Sequence, residues 1–374
     1  MARIAVAGSV AQRPFIGGHA WAFVQYLVGL RLLGHDVVFV DRLTTDMAPE
    51  EGQKDACIRW FQETARAAEL EHSSALLLED RTVGLTRAEL RRRLGACELL
   101  LNFMGFLDDP ELLSLPERRA YVDIDPGFPQ LWHELGLYDG FRGHDDFVTV
   151  ALNINRPGCG IPRCGLRWIP TAHPVVLDHW PVKGNGSALT SVGAWRGPYA
   201  SIQYGTRYGL RVHEFRRFLE LPRLTDVRFE LALDIDPGDA EDICKLRQHG
   251  WTLLSPRQVA GDLKAYQRFV QRSWGEFMVA KNMYVATASG WFGDRSICYL
   301  ATGKVVIAQD TGLSDHLPVD RGLLTFSSLE EAVLAVEAAQ REPTRHARAA
   351  RAIAEQHFEA RKVLRRLLNE LGVG

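Results

Sequence analysis

No stretch of this chain reaches the ~18 consecutive apolar residues that a membrane span needs. The amino terminus also lacks a secretory pattern. Met1-Ala2-Arg3 leads straight into Ile4–Ala7, and Gly8 interrupts before an apolar core of signal length forms. Cysteine is scarce, with six in 374 residues. Cys57, Cys97, Cys244 and Cys298 stand alone in apolar stretches, as buried thiols of a reducing compartment would. Cys159 and Cys164 share a Gly/Pro-rich loop, but their C-x4-C spacing has no second ligand pair nearby, which argues against zinc. A cytoplasmic protein is therefore the expectation. Charge of one sign is lacking too: 44 basic and 46 acidic side chains leave a net charge of -2. No strong field results, so neither nucleic acid nor anionic membrane is expected as a partner. There is no internal repeat and no low-complexity tract.

What is present is ample core material, 46% hydrophobic against 24% charged. At 374 residues the chain should form about two domains of roughly 150 residues each. Arginine far outnumbers lysine, which suggests a GC-rich, bacterial genome. Arg3–Ala7 reads as a strand, Ala20–Leu33 as a helix apolar nearly all round, and Val37–Val40 as a second strand ending in Asp41. That is a βαβ unit with a parallel sheet. Helical patterns over Glu51–Glu71 and Thr86–Leu94, with strands at 98–103, 120–124 and 147–152, continue the alternation. Residues 155–186 then concentrate proline and glycine, as a domain connection does. A second α/β series follows. Its strands are expected at 189–192, 227–233, 251–254, 277–280, 284–287 and 305–308. Helices are expected at Leu263–Gln271 and at Asp294–Thr302, the latter with Asp294 as N-cap. From Thr344 one long helix is expected.

Two loops carry residues suited to chemistry. Gly17-Gly18-His19 opens the first long helix, where backbone N–H groups and the helix dipole favour an anion. The same dipole keeps His19 neutral, as a general base requires. A glycine turn with a surface histidine is the plainer alternative. The second loop is Ser289-Gly290-Trp291-Phe292-Gly293-Asp294-Arg295-Ser296, followed by Gln309-Asp310-Thr311-Gly312. A glycine-flanked helix start with Arg295 and Ser296 in its first turn can hold a diphosphate. The alternative there is a capped core helix. The first βα turn, Gly8–Arg13, is not G-x-G-x-x-G, so Asp41 is a weak sign of dinucleotide binding. Asp123, Asp125, Asp234 and Asp236 follow strands and could be loop caps or catalytic acids.

The run S-G-W-F-G-D-R-S-x3-L-A-T-G-K-V-V-I-A-Q-D-T-G, from Ser289 to Gly312, resembles the donor-binding segment of GT-B glycosyltransferases. The opening strand with Gly-Gly-His, the proline-rich connection and the terminal helix are similar to that fold as well. The resemblance implies an acceptor-binding amino-terminal domain, a nucleotide-sugar-binding carboxyl-terminal domain, and a last helix crossing back. It implies His19 as base with Asp125 or Asp123 orienting it. It implies Arg196 and Arg211 on the diphosphate, and Gln309 and Asp310 on sugar hydroxyls. Gly290 and Cys298 stand where many retaining members carry paired glutamates, so the stereochemical outcome is open.

The sequence therefore predicts two tandem doubly wound Rossmann-like domains facing across a cleft. The expected divisions are an acceptor domain over 1–172, a linker over 173–186, a donor domain over 187–345 and a crossing helix over 346–374. Catalysis is expected from His19, Asp125 and Asp123. Donor contacts are expected from Gly17, Gly18, Arg196, Arg211, Gly293, Asp294, Arg295, Ser296, Gln309, Asp310, Thr311 and Gly312. No metal or resident cofactor is expected, and the nucleotide-sugar is a co-substrate. A nucleotide-sugar epimerase, a pseudo-glycosyltransferase and a non-catalytic ligand-binding protein are the alternative readings.

Overall fold

Arg3–Ala7 (β1) pairs in parallel with Asp36–Arg42 (β2), and Gly17–Leu32 (α1) connects them, as the alternation predicts. The computed structural model describes residues 1–47, 52–184 and 186–373. The first compact unit holds Met1–Val150, Pro162–Val176 and the segment from Ala360. Its further strands are Ser74–Leu77 (β3), Thr82–Gly84 (β4), Leu99–Phe103 (β5), Arg118–Asp123 (β6), Asp146–Thr149 (β7) and Trp168–Pro170 (β8). They form an eight-stranded sheet ordered β4-β3-β2-β1-β5-β6-β7-β8. Only the β3–β4 pair is antiparallel. The connecting helices are Lys54–Ala67 (α2), Arg87–Leu94 (α3), Pro110–Leu113 (α4) and Phe128–Glu134 (α5). The expected start of α2 at Glu51 lies outside the described residues.

The second unit holds Ala151–Ile161 and Leu177–Glu359. Its strands are Ala188–Ala194 (β9), the hairpin Ile202–Tyr204 (β10) and Thr206–Tyr208 (β11), Arg228–Asp234 (β12), Thr252–Leu253 (β13), Gly275–Met278 (β14), Val305–Gln309 (β15) and Leu323–Phe326 (β16). Apart from the hairpin they form a parallel sheet ordered β13-β12-β9-β14-β15-β16. Its helices include Arg211–Phe215 (α6), Ala240–Gln248 (α7), Pro256–Ala260 (α8), Leu263–Arg272 (α9), Asn282–Ala286 (α10), Asp294–Ala301 (α11), Leu329–Arg341 (α12) and Pro343–Ile353 (α13). Packed rings build its core. Phe277 stacks on Phe326 at 5.0 Å, and Phe218 meets Phe326 edge-on at 4.9 Å.

The α1 helix needs no polar face because it is covered on all sides, with Ala20, Trp21 and Phe23–Leu30 buried. The final helix, Ala360–Glu370 (α14), turns Val363, Leu364, Leu367 and Leu368 inward. A Cβ on Gly29 of α1 would stand 2.5 Å from Leu364 Cδ1 and 3.0 Å from the Ala360 Cβ. Only glycine permits so close an approach of the two helices.

Several sequence expectations are corrected. The carboxyl-terminal pattern is not one helix: α13 runs into a π-helical turn, Ala354–Phe358, and extended Glu359 separates it from α14. Only α14 belongs to the first unit, while the stretch expected at 346–374 begins in the second; Gly374 lies outside the described residues. The proline-rich stretch is not a plain linker. Residues 151–161 belong to the second unit, and 162–176 return to the first as edge strand β8 and its continuation. The connection expected at 173–186 shrinks accordingly, and its Asn185 is outside the described residues. Residues 284–287, expected as a strand, lie in and just after α10, because a short apolar run fits either period. The α11 helix is capped by Gly293, not Asp294. Among the described residues no helix is long and apolar enough to cross a membrane.

Candidate functional site

Ligands of doubly wound sheets bind beyond the carboxyl ends of the strands, where the strand order reverses. In the second unit that place lies between β9 and β14. Near the end of β9, Gly193 has φ +153°, and a Cβ there would stand 2.6 Å from Arg211 Nη1 and 3.2 Å from Arg295 Nη1. Two guanidinium groups, from α6 and α11, therefore lie against one backbone position. Arg211 donates to the Ala194 carbonyl at 2.9 Å. Arg295 Nε donates to Glu276 Oε1 at 2.5 Å, and Glu276 is fully buried on β14. Burial by itself would lower the Arg295 pKa. The Glu276 charge and hydrogen bond overcome this and raise it above the ordinary arginine value. Glu276 Oε2 and Ser296 Oγ are buried with no hydrogen-bond partner among the described residues. Ser296 sits in the first turn of α11, whose amino end has no side-chain cap. Two cations, a hydroxyl and uncapped N–H groups are donors of the kind an anion requires.

Arg196 does not join this pair. It forks onto Asp239 at 2.8 and 2.5 Å, and its side chain is 43% exposed. The loop after β15 is held by other segments as well as by itself. Gln309 is fully buried, donating to Glu214 Oε2 at 2.6 Å and accepting from the Ala280 N–H at 3.2 Å. Thr311 donates to the Trp291 carbonyl at 2.7 Å. Asp310 Oδ1 accepts from the N–H groups of Gly312 and Leu313 at 2.9 and 3.0 Å, and the side chain is half-buried. Asn153 ties this loop to the one before α11. Its Nδ2 donates to the carbonyls of Ala288 and Gly312 at 2.9 and 3.1 Å. Gly293 caps α11 while Asp294 is half-buried at its first position.

Sequence reasoning missed Glu276, Glu214, Asn153 and Lys281. Glu276 had a signal, since it is the one charge between Trp274 and Ala280. Lys281 Nζ lies 5.1 Å from the Tyr199 ring and 5.4 Å from the Tyr284 ring, and Tyr284 in turn stacks on Trp291 at 4.4 Å.

In the first unit, Gly17 and Gly18 open α1, and the helix has no side-chain cap. Half-buried His19 directs Nε2 to the Ser9 carbonyl at 3.1 Å. A carbonyl can only accept, so Nε2 carries the proton and Nδ1 the lone pair. Desolvation, then the Arg13 charge, lower the His19 pKa to about 3 against the Ser9 bond that raises it. Of the two expected orienting acids, Asp123 is engaged elsewhere. Asp123 is fully buried, accepting from Gln130 Nε2 at 2.7 Å, Thr149 Oγ1 at 2.8 Å and the Asp125 N–H at 3.0 Å. Burial raises its pKa to about 6 despite those bonds. It braces the start of α5, since Gln130 also accepts from the Gly127 N–H. Half-buried Asp125 follows on the same turn. Asp41 is likewise internal: its carboxylate accepts from the N–H groups of Val10 and Ala11 at 2.6 and 2.8 Å and fixes the loop after β1. Burial raises its pKa to about 7. All six cysteines are free thiols. Among the described residues no three His, Cys, Asp or Glu side chains gather as a metal site.

No protein-family model matches the chain, and no curated protein matches it. Solved structures do. An alpha-glucosyltransferase in complex with UDP aligns over 100% of both chains, with TM-score 0.61 and 11% identity. HepE of Anabaena in complex with UDP and glucose aligns over 100% of both, with TM-score 0.59 and 12% identity. The chain has the GT-B fold. The GT-B neighbours also correct one expectation. An alpha-glucosyltransferase bound to UDP and a 13-mer DNA aligns over 99% of both chains, with TM-score 0.61 and 10% identity. Exclusion of nucleic acid on net charge therefore fails. Net charge sums the whole surface, whereas a polyanion meets a local part of it.

Proposed function

We propose that this chain transfers a sugar from a nucleoside-diphosphate sugar to a hydroxyl acceptor. The observation that carries the reading is the convergence of Arg211 and Arg295 on Gly193 at the switch point of the second sheet. Transfer breaks the bond between the anomeric carbon and the diphosphate oxygen and joins that carbon to the acceptor oxygen. Negative charge grows on the departing diphosphate. Two preorganised guanidinium groups, Ser296 Oγ and the amino end of α11 stabilise it where it develops. They supply what a metal ion supplies elsewhere, so the reaction is proposed to be metal-independent. Asp310 is the sugar-side contact of its loop, because Gln309 and Thr311 are turned inward. UDP and UDP-glucose in the structural neighbours favour a uridine nucleotide and a hexose.

The reaction is proposed to retain configuration. A His19 with its pKa lowered to about 3 is a poor proton acceptor. The acceptor proton then passes to the departing phosphate oxygen, and His19 Nδ1 orients the acceptor by a hydrogen bond. Neighbours described as alpha-glucosyltransferases favour the same outcome. The test is turnover of UDP-glucose with chelator present against sugar, natural-product and duplex DNA acceptors. UDP release tied to an alpha-linked product is expected. A changed sugar nucleotide without acceptor would mark an epimerase, and failure to bind any nucleotide would mark a non-catalytic protein.

A further inference from the structure

The amino ends of β1 and β2 border a cavity of about 360 Å³, far along the strands from the carboxyl-end loops. It is lined by Arg3, Asp36, Ser73, Arg92, Arg93 and Cys97, among others. Its volume is within the range of small-molecule sites. Three guanidinium groups, Arg3, Arg92 and Arg93, line it with the Asp36 carboxylate, and Glu98 at its edge accepts from the Arg3 N–H at 3.3 Å. On the same helix, α3, Arg87 pairs with Asp109 at 2.7 Å and Arg91 pairs with Glu111. Arg93, by contrast, donates among the described residues only to neutral oxygens, Ser73 Oγ at 2.9 Å and the His72 carbonyl at 3.5 Å. Arg92 has no hydrogen bond or ion pair among the described residues; Glu89 feels its charge from one turn away. Arg3 stands 3.6 Å from Asp36, with both side chains largely exposed.

Basic residues suit the carboxyl end of a helix, which accounts for Arg92 and Arg93 on α3. It does not account for Arg3, which arrives from a different element and lines the same hollow. A concave site with more guanidinium than carboxylate focuses positive potential and draws in anions. Arginine forks match phosphate oxygens, and the Ser73 hydroxyl adds a donor.

We propose that this cavity binds a small phosphate-bearing anion through Arg92, Arg93 and Arg3. The site shares no residue with the Arg211–Arg295 pair and does not depend on the proposed transfer. Calorimetric titration of inorganic pyrophosphate into the full chain at fixed ionic strength tests it, comparing wild type, Arg92→Ala/Arg93→Ala and Arg211→Met. The double variant should weaken one class of site at least tenfold with the melting temperature kept, and Arg92→Lys/Arg93→Lys should restore part of it. Arg211→Met should leave that class intact. An unchanged isotherm in the double variant, or loss of all binding in Arg211→Met, overturns the proposal. If Arg211→Met changes nothing while the double variant loses binding, the cavity stands and the donor reading falls.

Discussion

Glu276 and Arg295 form an ion pair whose carboxylate is fully buried and whose guanidinium is only 13% exposed. The pair fixes one arm of the proposed anion site. Removing one partner of such a pair typically costs about 3–5 kcal/mol, because a charge is left buried and alone. Glu276→Gln should therefore lower stability by about that much in urea unfolding. Changing both residues to Met should cost less than the single change, while diphosphate affinity is lost. Equal stability of Glu276→Gln and wild type would show that the pair is relaxed in solution.

Arg196 and Arg211 should separate cleanly. Arg196 is half-exposed and spent on Asp239, so Arg196→Ala should change UDP affinity less than twofold. Arg211 faces Gly193, and hydrogen bonds to charged groups are worth about 1.5–3 kcal/mol. Arg211→Met should weaken UDP by at least tenfold. Titration of both variants decides it, and a larger loss at Arg196 reverses the assignment.

Gly193→Ala probes the same point from the backbone. Its Cβ would displace Arg211 Nη1 from 2.6 Å, and φ +153° strains any L side chain. We expect a fall in melting temperature together with weaker UDP binding. Normal affinity would mean that the guanidinium groups need not meet there.

Much of the fold was legible because parallel strands alternating with helices leave a periodic record. The strands β2, β5, β6 and β12 lie where apolar runs end in Asn or Asp, and β1 where one ends at Gly8. What was not legible depended on tertiary contact. Glu359 breaks an apolar stripe that continues on both sides, and nothing local marks that break. The return of 162–176 to the first sheet is invisible in proline and glycine counts. At the site, Arg211 and Arg295 were named, but their meeting needs the fold. Arg196 matched a position, and Asp239, 43 residues away, decides what it does. Asp123 was read as a catalytic acid, yet its partners Gln130 and Thr149 make it a brace.

Two desolvated groups in the first unit, buried Asp41 and half-buried His19, should leave opposite marks on the pH dependence of stability. Asp41 titrates near 7 in the folded state against 3.8 in the unfolded chain, so folding takes up a proton between them. Its contribution is present below about pH 4 and is lost as pH rises towards 7. His19, lowered from 6.5 to about 3, acts the other way, and its contribution is lost as pH falls through that window. Asp41→Asn should therefore remove a decline in unfolding free energy between pH 4 and 7. His19→Gln should remove a rise between pH 3 and 6.5. Urea unfolding across pH checks both, and parallel curves for all three proteins would contradict the desolvation of these groups.

The most direct test of the central claim is calorimetric binding of UDP with excess chelator. Wild type is compared with Arg211→Met and with the paired change Glu276→Gln/Arg295→Met, which avoids leaving a buried carboxylate unpaired. The account predicts metal-free binding by wild type and at least tenfold weaker binding by each variant, with uridine alone little affected. Binding by wild type only when a divalent metal is supplied, or equal affinity in all three proteins, would contradict it.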